Sequence, residues 1–180
     1  LRDSGALNIP VVYNTSSFDS LEALRLMKGA VDVYLADFKY ASALEAGKLS
    51  HASRYPEIAL AAIEEMVAQV PVWEEDDEGL LLKGVIVRHL VLPGRVEESK
   101  RALAVLHERF GDNVRLSIMS QYTPLASGLE RYGLAGRVTE EEYEEVLDYA
   151  DSLGIEDYFW QQGDAAQESF VPDFNGEGVR

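Results

Sequence analysis

The chain contains no cysteine among its 180 residues. Disulfides, thiolate zinc sites, cysteine nucleophiles and Cys-ligated iron–sulfur clusters are therefore excluded for the sequence as it stands. Basic residues are also scarce: 16 Lys and Arg face 32 Asp and Glu, giving a formal net charge of -16. A nucleic-acid backbone or an anionic membrane surface calls for a basic face, so neither is expected as a main partner. No apolar run reaches the ~18–20 residues of a spanning helix, and no basic-then-apolar leader opens the chain. The reading is a cytoplasmic protein. A Walker A loop, a G-x-S-x-G elbow and an H-E-x-x-H helix are all missing. Gly176-Glu177-Gly178 does not open a helix pattern and carries no dinucleotide signal. His51, His89 and His107 fall on different elements without ligand spacing, so no metal site is expected. Asn14-Thr15-Ser16 matches a glycosylation sequon, a chance match in the absence of a secretion signal.

What is present is ordinary globular material, 47% hydrophobic and 27% charged, long enough for one domain with a sizeable core. Short apolar runs alternate with 3.6-period helices. The first run, residues 9–13, precedes a helix with Asp19 as N-cap, Glu22 closing a capping box, Leu21, Leu24 and Met27 inward, and Gly29 at its end. Residues 31–35 form the second run and lead into Asp37-Phe38-Lys39-Tyr40. After a polar stretch, Pro56 opens a helix whose stripe is Ile58, Ala59, Ala62, Ile63, Met66, Val67 and Val70. The acidic run 74–78 reads as a solvated loop. A third strand over 85–92 ends at Pro93-Gly94 and is followed by a helix marked by Ala102, Leu103, Leu106 and Phe110. The fourth strand is 114–119; a loop over 123–138 leads to a second capping box, Thr139 with Glu142, and a helix carrying Tyr143, Val146, Leu147, Ala150 and Leu153 inward. Residues 155–160 form a shorter fifth strand, and 163–180 an irregular tail.

Nearly all-apolar strands alternating with helices imply a parallel sheet with helices packed outside. The count falls short of a closed eight-fold barrel of about 250 residues, leaving a partial barrel or an open doubly wound sheet. In either, ligands collect at the carboxyl ends of the strands. Those ends carry Asn14 and Thr15, Asp37 and Lys39, Arg88 and His89, and Gln121 and Tyr122. Asp37 and Lys39, two apart, share a strand face at roughly 6.6–6.8 Å spacing, and read as a rim ion pair or as part of a site. Arg88 reads as a second site cation or as an arginine tying down a loop. His89 lines a site or packs outside the sheet, and His107 is a surface residue.

Several runs together resemble radical SAM proteins of the pyruvate formate-lyase activating enzyme-like group. They are Ile9-Pro10-Val11-Val12-Tyr13-Asn14-Thr15-Ser16, Asp32-Val33-Tyr34-Leu35-Ala36-Asp37-Phe38-Lys39-Tyr40 and Gly84-Val85-Ile86-Val87-Arg88-His89-Leu90-Val91-Leu92-Pro93-Gly94. Met119-Ser120-Gln121-Tyr122-Thr123-Pro124, Thr139-Glu140-Glu141-Glu142-Tyr143 and Phe170-Val171-Pro172-Asp173-Phe174 extend the similarity over nearly the whole chain. The resemblance implies an α/β fold: a parallel sheet with outer helices, a partial TIM-like (β/α)6 barrel missing its first two units. Residues 1–162 would then be the carboxyl-terminal part of that barrel and 163–180 its tail.

It also implies an enzyme that reductively cleaves S-adenosylmethionine to a 5′-deoxyadenosyl radical for hydrogen abstraction. A [4Fe–4S] cluster held by a C-x-x-x-C-x-x-C loop belongs to the complete family member; this chain lacks those ligands and is expected to be inactive alone. The family's cofactor contacts fall on Asn14, Thr15, Asp37, Lys39 and Arg88, with Gln121 or Tyr122 where related activases carry a histidine. Expected partners are S-adenosylmethionine and a glycyl-radical enzyme or other protein substrate. The outer edge of the first strand would be left unpaired, which favours an edge-mediated dimer, an ordered non-barrel cover or limited solubility. Two further readings stay open: a metal-free Schiff-base lyase using Lys39 with Asp37 as acid–base partner, and a non-catalytic acidic interaction domain.

Overall fold

The structure, a computed structural model, describes residues 9–125 and 127–161. The expected tail, residues 163–180, lies outside the described residues. In chain order the elements are β1 (Val12–Thr15), α1 (Leu21–Leu26), β2 (Val33–Asp37), α2 (Ala43–Ser50), α3 (Tyr55–Gln69), β3 (Glu74–Glu75), β4 (Leu81–Leu90), α4 (Val96–Phe110), β5 (Arg115–Met119), α5 (Glu140–Ser152) and β6 (Tyr158–Trp160). Single 3-10 turns follow α4 at Gly111–Asn113 and precede α5 at Leu129–Tyr132.

Strands β1, β2, β4, β5 and β6 are parallel neighbours in chain order, and β3 pairs antiparallel with β4. That order decides between the two architectures left open by the sequence. A doubly wound sheet reverses its strand order at a switch point, and these strands do not reverse. Right-handed crossovers that always step in one direction place every helix on one face, which is the winding of a TIM-like barrel. Tyr34, Ala36 and Phe38 of the β2 segment, Val85 and Val87 of β4, and Leu116 and Ile118 of β5 are buried on that helix-covered face. They meet Leu24 of α1, Ala59, Ala62, Ile63 and Met66 of α3, Leu103 and Leu106 of α4, and Val146 of α5 in one continuous core. Each fully buried aliphatic or aromatic side chain there contributes about 1.5–3 kcal/mol.

Alternation puts the intervening residues on the opposite, open face. By register these are Val12 and Asn14; Val33, Leu35 and Asp37; Gly84, Ile86, Arg88 and Leu90; and Arg115, Ser117 and Met119. At the amino ends of the strands this face is capped by Trp73. An ideal Cβ on Gly84 would stand 2.7 Å from a Trp73 ring carbon, so only glycine lets the indole lie on the β4 backbone. The Arg115 guanidinium covers the Trp73 ring at 4.7 Å.

Several local expectations are corrected. The first two strands start two or three residues later, because Asp32 forms their shared entry turn: its carboxylate takes Val11 N–H at 2.8 Å and its own N–H reaches Val11 O at 2.9 Å. Ser20, not Asp19, caps α1, accepting Ala23 N–H at 3.1 Å; Asp19 is already taken by the Tyr13 and Thr15 hydroxyls. α1 also stops at Leu26, short of Gly29. The polar stretch after Tyr40 contains α2, N-capped by Ser42. The acidic loop is a hairpin: Glu74–Glu75 pairs with β4, and Asp76 accepts Glu78 and Leu80 N–H at 2.9 and 2.8 Å to close the turn. β4 accordingly begins at Leu81 and ends at Leu90. The Thr139–Glu142 capping box forms as expected. His107 lies half-buried on α4. No helix of the described residues is long and apolar enough to cross a membrane.

Candidate functional site at the carboxyl ends of the strands

Four expected site residues meet at the carboxyl end of the open face. The register pairs Asp37 of β2 directly with Arg88 of β4. Arg88 Nε donates to Asp37 Oδ1 at 2.9 Å, and the ion pair closes to 2.7 Å between Nη2 and the same oxygen. The same Nη2 donates to Asn14 Oδ1 at 2.6 Å, and Lys39 Nζ donates to Asp37 Oδ2 at 3.0 Å. The result is a chain of charge-assisted bonds across β1, β2 and β4. One carboxylate sits between two cations, a local surplus of positive charge in a chain of net charge -16. The side chains of Asp37, Arg88 and Lys39 are 20%, 25% and 45% exposed, so water or a ligand reaches them from the open side.

The other three expected residues lie elsewhere. Neighbours on a strand point to opposite faces, so Asn14 and Thr15 cannot both line this cluster. Thr15 turns into the following loop, where its hydroxyl donates to Asp19 and accepts Ser17 N–H at 3.0 Å. Gln121 and Tyr122 lie beyond the end of β5. Gln121 Oε1 accepts from Gln161 Nε2 at 3.0 Å, and the Tyr122 hydroxyl donates to Leu134 O at 2.9 Å; neither bond joins the cluster.

The same parity places His89 behind Arg88, on the helix-covered face, settling its two readings. It is 2% exposed. Its Nδ1 is 2.8 Å from Phe38 O and its Nε2 is 2.9 Å from Ser99 Oγ. Burial lowers its pKa against the opposing pull of the Phe38 carbonyl and of Glu98. Tyr55 was not singled out by the sequence. It opens α3 and sends its hydroxyl under the site, within 3.0 Å of Ser16 O, 2.9 Å of Asp37 O and 3.0 Å of Lys39 N. Burial raises the pKa of its phenol above the ordinary value.

Set beside known proteins, this parallel sheet with one helical layer is similar in fold to part of a solved enzyme. It superposes on part of a radical SAM methyltransferase from Sphaerobacter thermophilus with a TM-score of 0.55 and 15% sequence identity, covering 84% of this chain and 40% of that one. In sequence the chain is similar to the uncharacterized protein MJ0674 of Methanocaldococcus jannaschii, 30% identical over 149 residues, 83% of this chain and 40% of that protein. The chain thus spans about 40% of the length of each of these two proteins. No family model matches.

Proposed function

We propose that this chain is the cofactor-holding carboxyl-terminal part of a radical SAM protein, and that Asn14, Asp37, Lys39 and Arg88 bind S-adenosylmethionine. The Asn14–Arg88–Asp37–Lys39 network at the carboxyl end of the open face carries this reading. Its donor set fits that cofactor: Lys39 and Arg88 suit a carboxylate, Asp37 suits an ammonium or ribose hydroxyls, and Asn14 adds an amide. S-adenosylmethionine, once bound and reduced, supplies hydrogen-abstracting radical chemistry. The chain's own residues orient the cofactor, and Leu35, Ile86 and Met119 present apolar strand surface beside them. A [4Fe–4S] cluster does not fit the residues present, because thiolates hold iron in such clusters and the sequence has no cysteine. Cluster binding is assigned to a preceding segment of a longer polypeptide, which would also supply the first two barrel units.

Within that class, the resemblance of the sequence favours a partner-activating enzyme that takes hydrogen from a glycine, and the structural neighbour is a methyltransferase. Product analysis separates the two. The Schiff-base alternative finds less support: Lys39 is 45% exposed and ion-paired to Asp37, whereas such a lysine works from a desolvated pocket. Lys39→Ala, made in the polypeptide extended upstream to the length of its relative, tests the proposal. Binding of S-adenosylmethionine should weaken and its cleavage should stop, while stability moves by less than about 0.5 kcal/mol. Unchanged affinity with a stability loss of roughly 0–1 kcal/mol would reduce the cluster to a rim ion pair.

A further inference from the structure

We propose that Tyr55 and His89 are positioning residues for this site: together they lock the backbone on which Asp37 and Lys39 are mounted. The inference rests on the reading of the cluster as an S-adenosylmethionine site. Two peptide groups join Asp37 to Lys39, and they present four polar atoms. Asp37 O meets the Tyr55 hydroxyl at 2.9 Å. Phe38 N–H donates to Arg88 O at 2.8 Å. Phe38 O accepts from His89 Nδ1 at 2.8 Å. Lys39 N–H donates to the Tyr55 oxygen at 3.0 Å. All four are bound, beyond the last residue of β2 where a strand end would ordinarily be left to water.

The direction of each bond follows from valence. A peptide N–H only donates, so the Tyr55 oxygen accepts from Lys39 and its single proton is divided between Asp37 O and Ser16 O. The phenol therefore ties the loop after β1 to the end of β2, fixing the span between Asn14 and Asp37 that Arg88 bridges. A carbonyl only accepts, so His89 carries its proton on Nδ1 and receives the Ser99 hydroxyl at Nε2. This secures Phe38 from the helix side while Arg88, one residue earlier on the same strand, works on the open side. The Tyr55 ring is itself wedged, stacked with Phe18 at 6.0 Å and edge-on to Tyr40 at 5.7 Å.

The substitutions are chosen to keep shape while removing single bonds. Tyr55→Phe retains the ring and its packing. His89→Asn keeps a donor near the Nδ1 position, and His89→Leu removes it. Hydrogen exchange on the 180-residue chain should show the Lys39 amide opening at least about tenfold faster in Tyr55→Phe, with the Met66 and Val87 amides unchanged. In the extended polypeptide, S-adenosylmethionine titrated calorimetrically should bind about tenfold more weakly to Tyr55→Phe and His89→Leu, and within about twofold of the parent for His89→Asn. Rescue by Asn is the mark of positioning, since a merely structural histidine would lose affinity alike with Asn or Leu. A Lys39 amide as protected in Tyr55→Phe as in the parent overturns the Tyr55 assignment, and equal losses in the two His89 variants overturn the His89 assignment. A parent that binds no S-adenosylmethionine while the Lys39 amide responds to Tyr55→Phe refutes the cofactor reading and upholds the locked backbone.

Discussion

Mild acid should destabilise this protein through His89. The ring is 2% exposed, and its Nδ1 proton is committed to Phe38 O at 2.8 Å. A second proton would go to Nε2, which faces the Ser99 hydroxyl at 2.9 Å; that oxygen can turn to accept it, so no bond need break. The penalty is the burial of charge, the dominant cause that lowers the His89 pKa, with Glu98 the opposing nearby charge. The sign follows from linkage. The unfolded histidine titrates near 6.5 and the folded one below it, so the unfolded state binds more protons as pH falls through that value. Stability is then fully present above about pH 6.5 and is lost below it, down to the folded pKa. Between pH 7.5 and 5.5 the loss is at most about 1.4 kcal/mol, reached if the folded ring stays neutral throughout.

Urea unfolding at the two pH values, on the parent and on His89→Asn, isolates the effect. Glu65 and Glu141, whose pKa values are lowered in the fold, also favour higher pH, but their main range lies below about pH 4.5 and both proteins share it. The parent should lose stability on acidification beyond what the variant loses, with the difference approaching about 1 kcal/mol. Parallel profiles for the two proteins would refute the argument, as would a parent that gains stability at pH 5.5.

Three further outcomes are expected. A double-mutant cycle on Asp37→Ala and Arg88→Ala should give a coupling of about 1–2 kcal/mol in denaturant unfolding, above exposed pairs because both side chains are mostly buried and joined by a charge-assisted hydrogen bond. Gly84→Ala should cost about 1–3 kcal/mol, since its methyl group meets the Trp73 ring at 2.7 Å, and a calorimetric Tm indistinguishable from the parent would show that the hairpin does not cap the face. If β1 self-associates through its outer edge, Val12→Lys should shift the sedimentation profile toward monomer, Val12 being 52% exposed at that edge; an unshifted profile rules the edge out.

Much of the frame is written in simple periodicities. The α3 stripe, the Thr139–Glu142 box and the alternation of apolar runs with helices translate directly into elements, because burial on one side of a helix or sheet imposes those spacings. The shared face of Asp37 and Lys39 is readable for the same reason, and the pairing of Asp37 with Arg88 needs only that consecutive strands lie side by side. Where tertiary partners decide, the sequence is mute. Asp19 and Ser20 are both good caps, and the choice falls to Ser20 because Tyr13 and Thr15 hold the aspartate. α2 is hidden because Leu44, its leading apolar residue, is 77% exposed while its one fully buried side chain is Ala46. Nothing in the local sequence marks Tyr55, because its hydroxyl serves backbone atoms 16, 18 and 39 positions away.

The two ends of the open face divide its labour. At the amino end, Trp73 lies on Gly84 under Arg115, and Arg115 is paired with Asp157 at 2.8 Å, so the charges there are consumed in closing the floor. At the carboxyl end, Arg88 and Lys39 share the single carboxylate of Asp37, leaving donor capacity directed to the open side. Between them Leu35 and Ile86 offer apolar surface, Ser117 standing beside Arg88 at the carboxyl end. A polar ligand therefore gains hydrogen bonds at one end alone, and an elongated one with a charged group at that end would lay its remaining length over the apolar strands. The backbone lock at Asp37–Lys39 fits this division: a half-exposed lysine on a loose strand end would sample many positions, and fixing both peptide groups beneath it lowers the ordering entropy that binding must overcome.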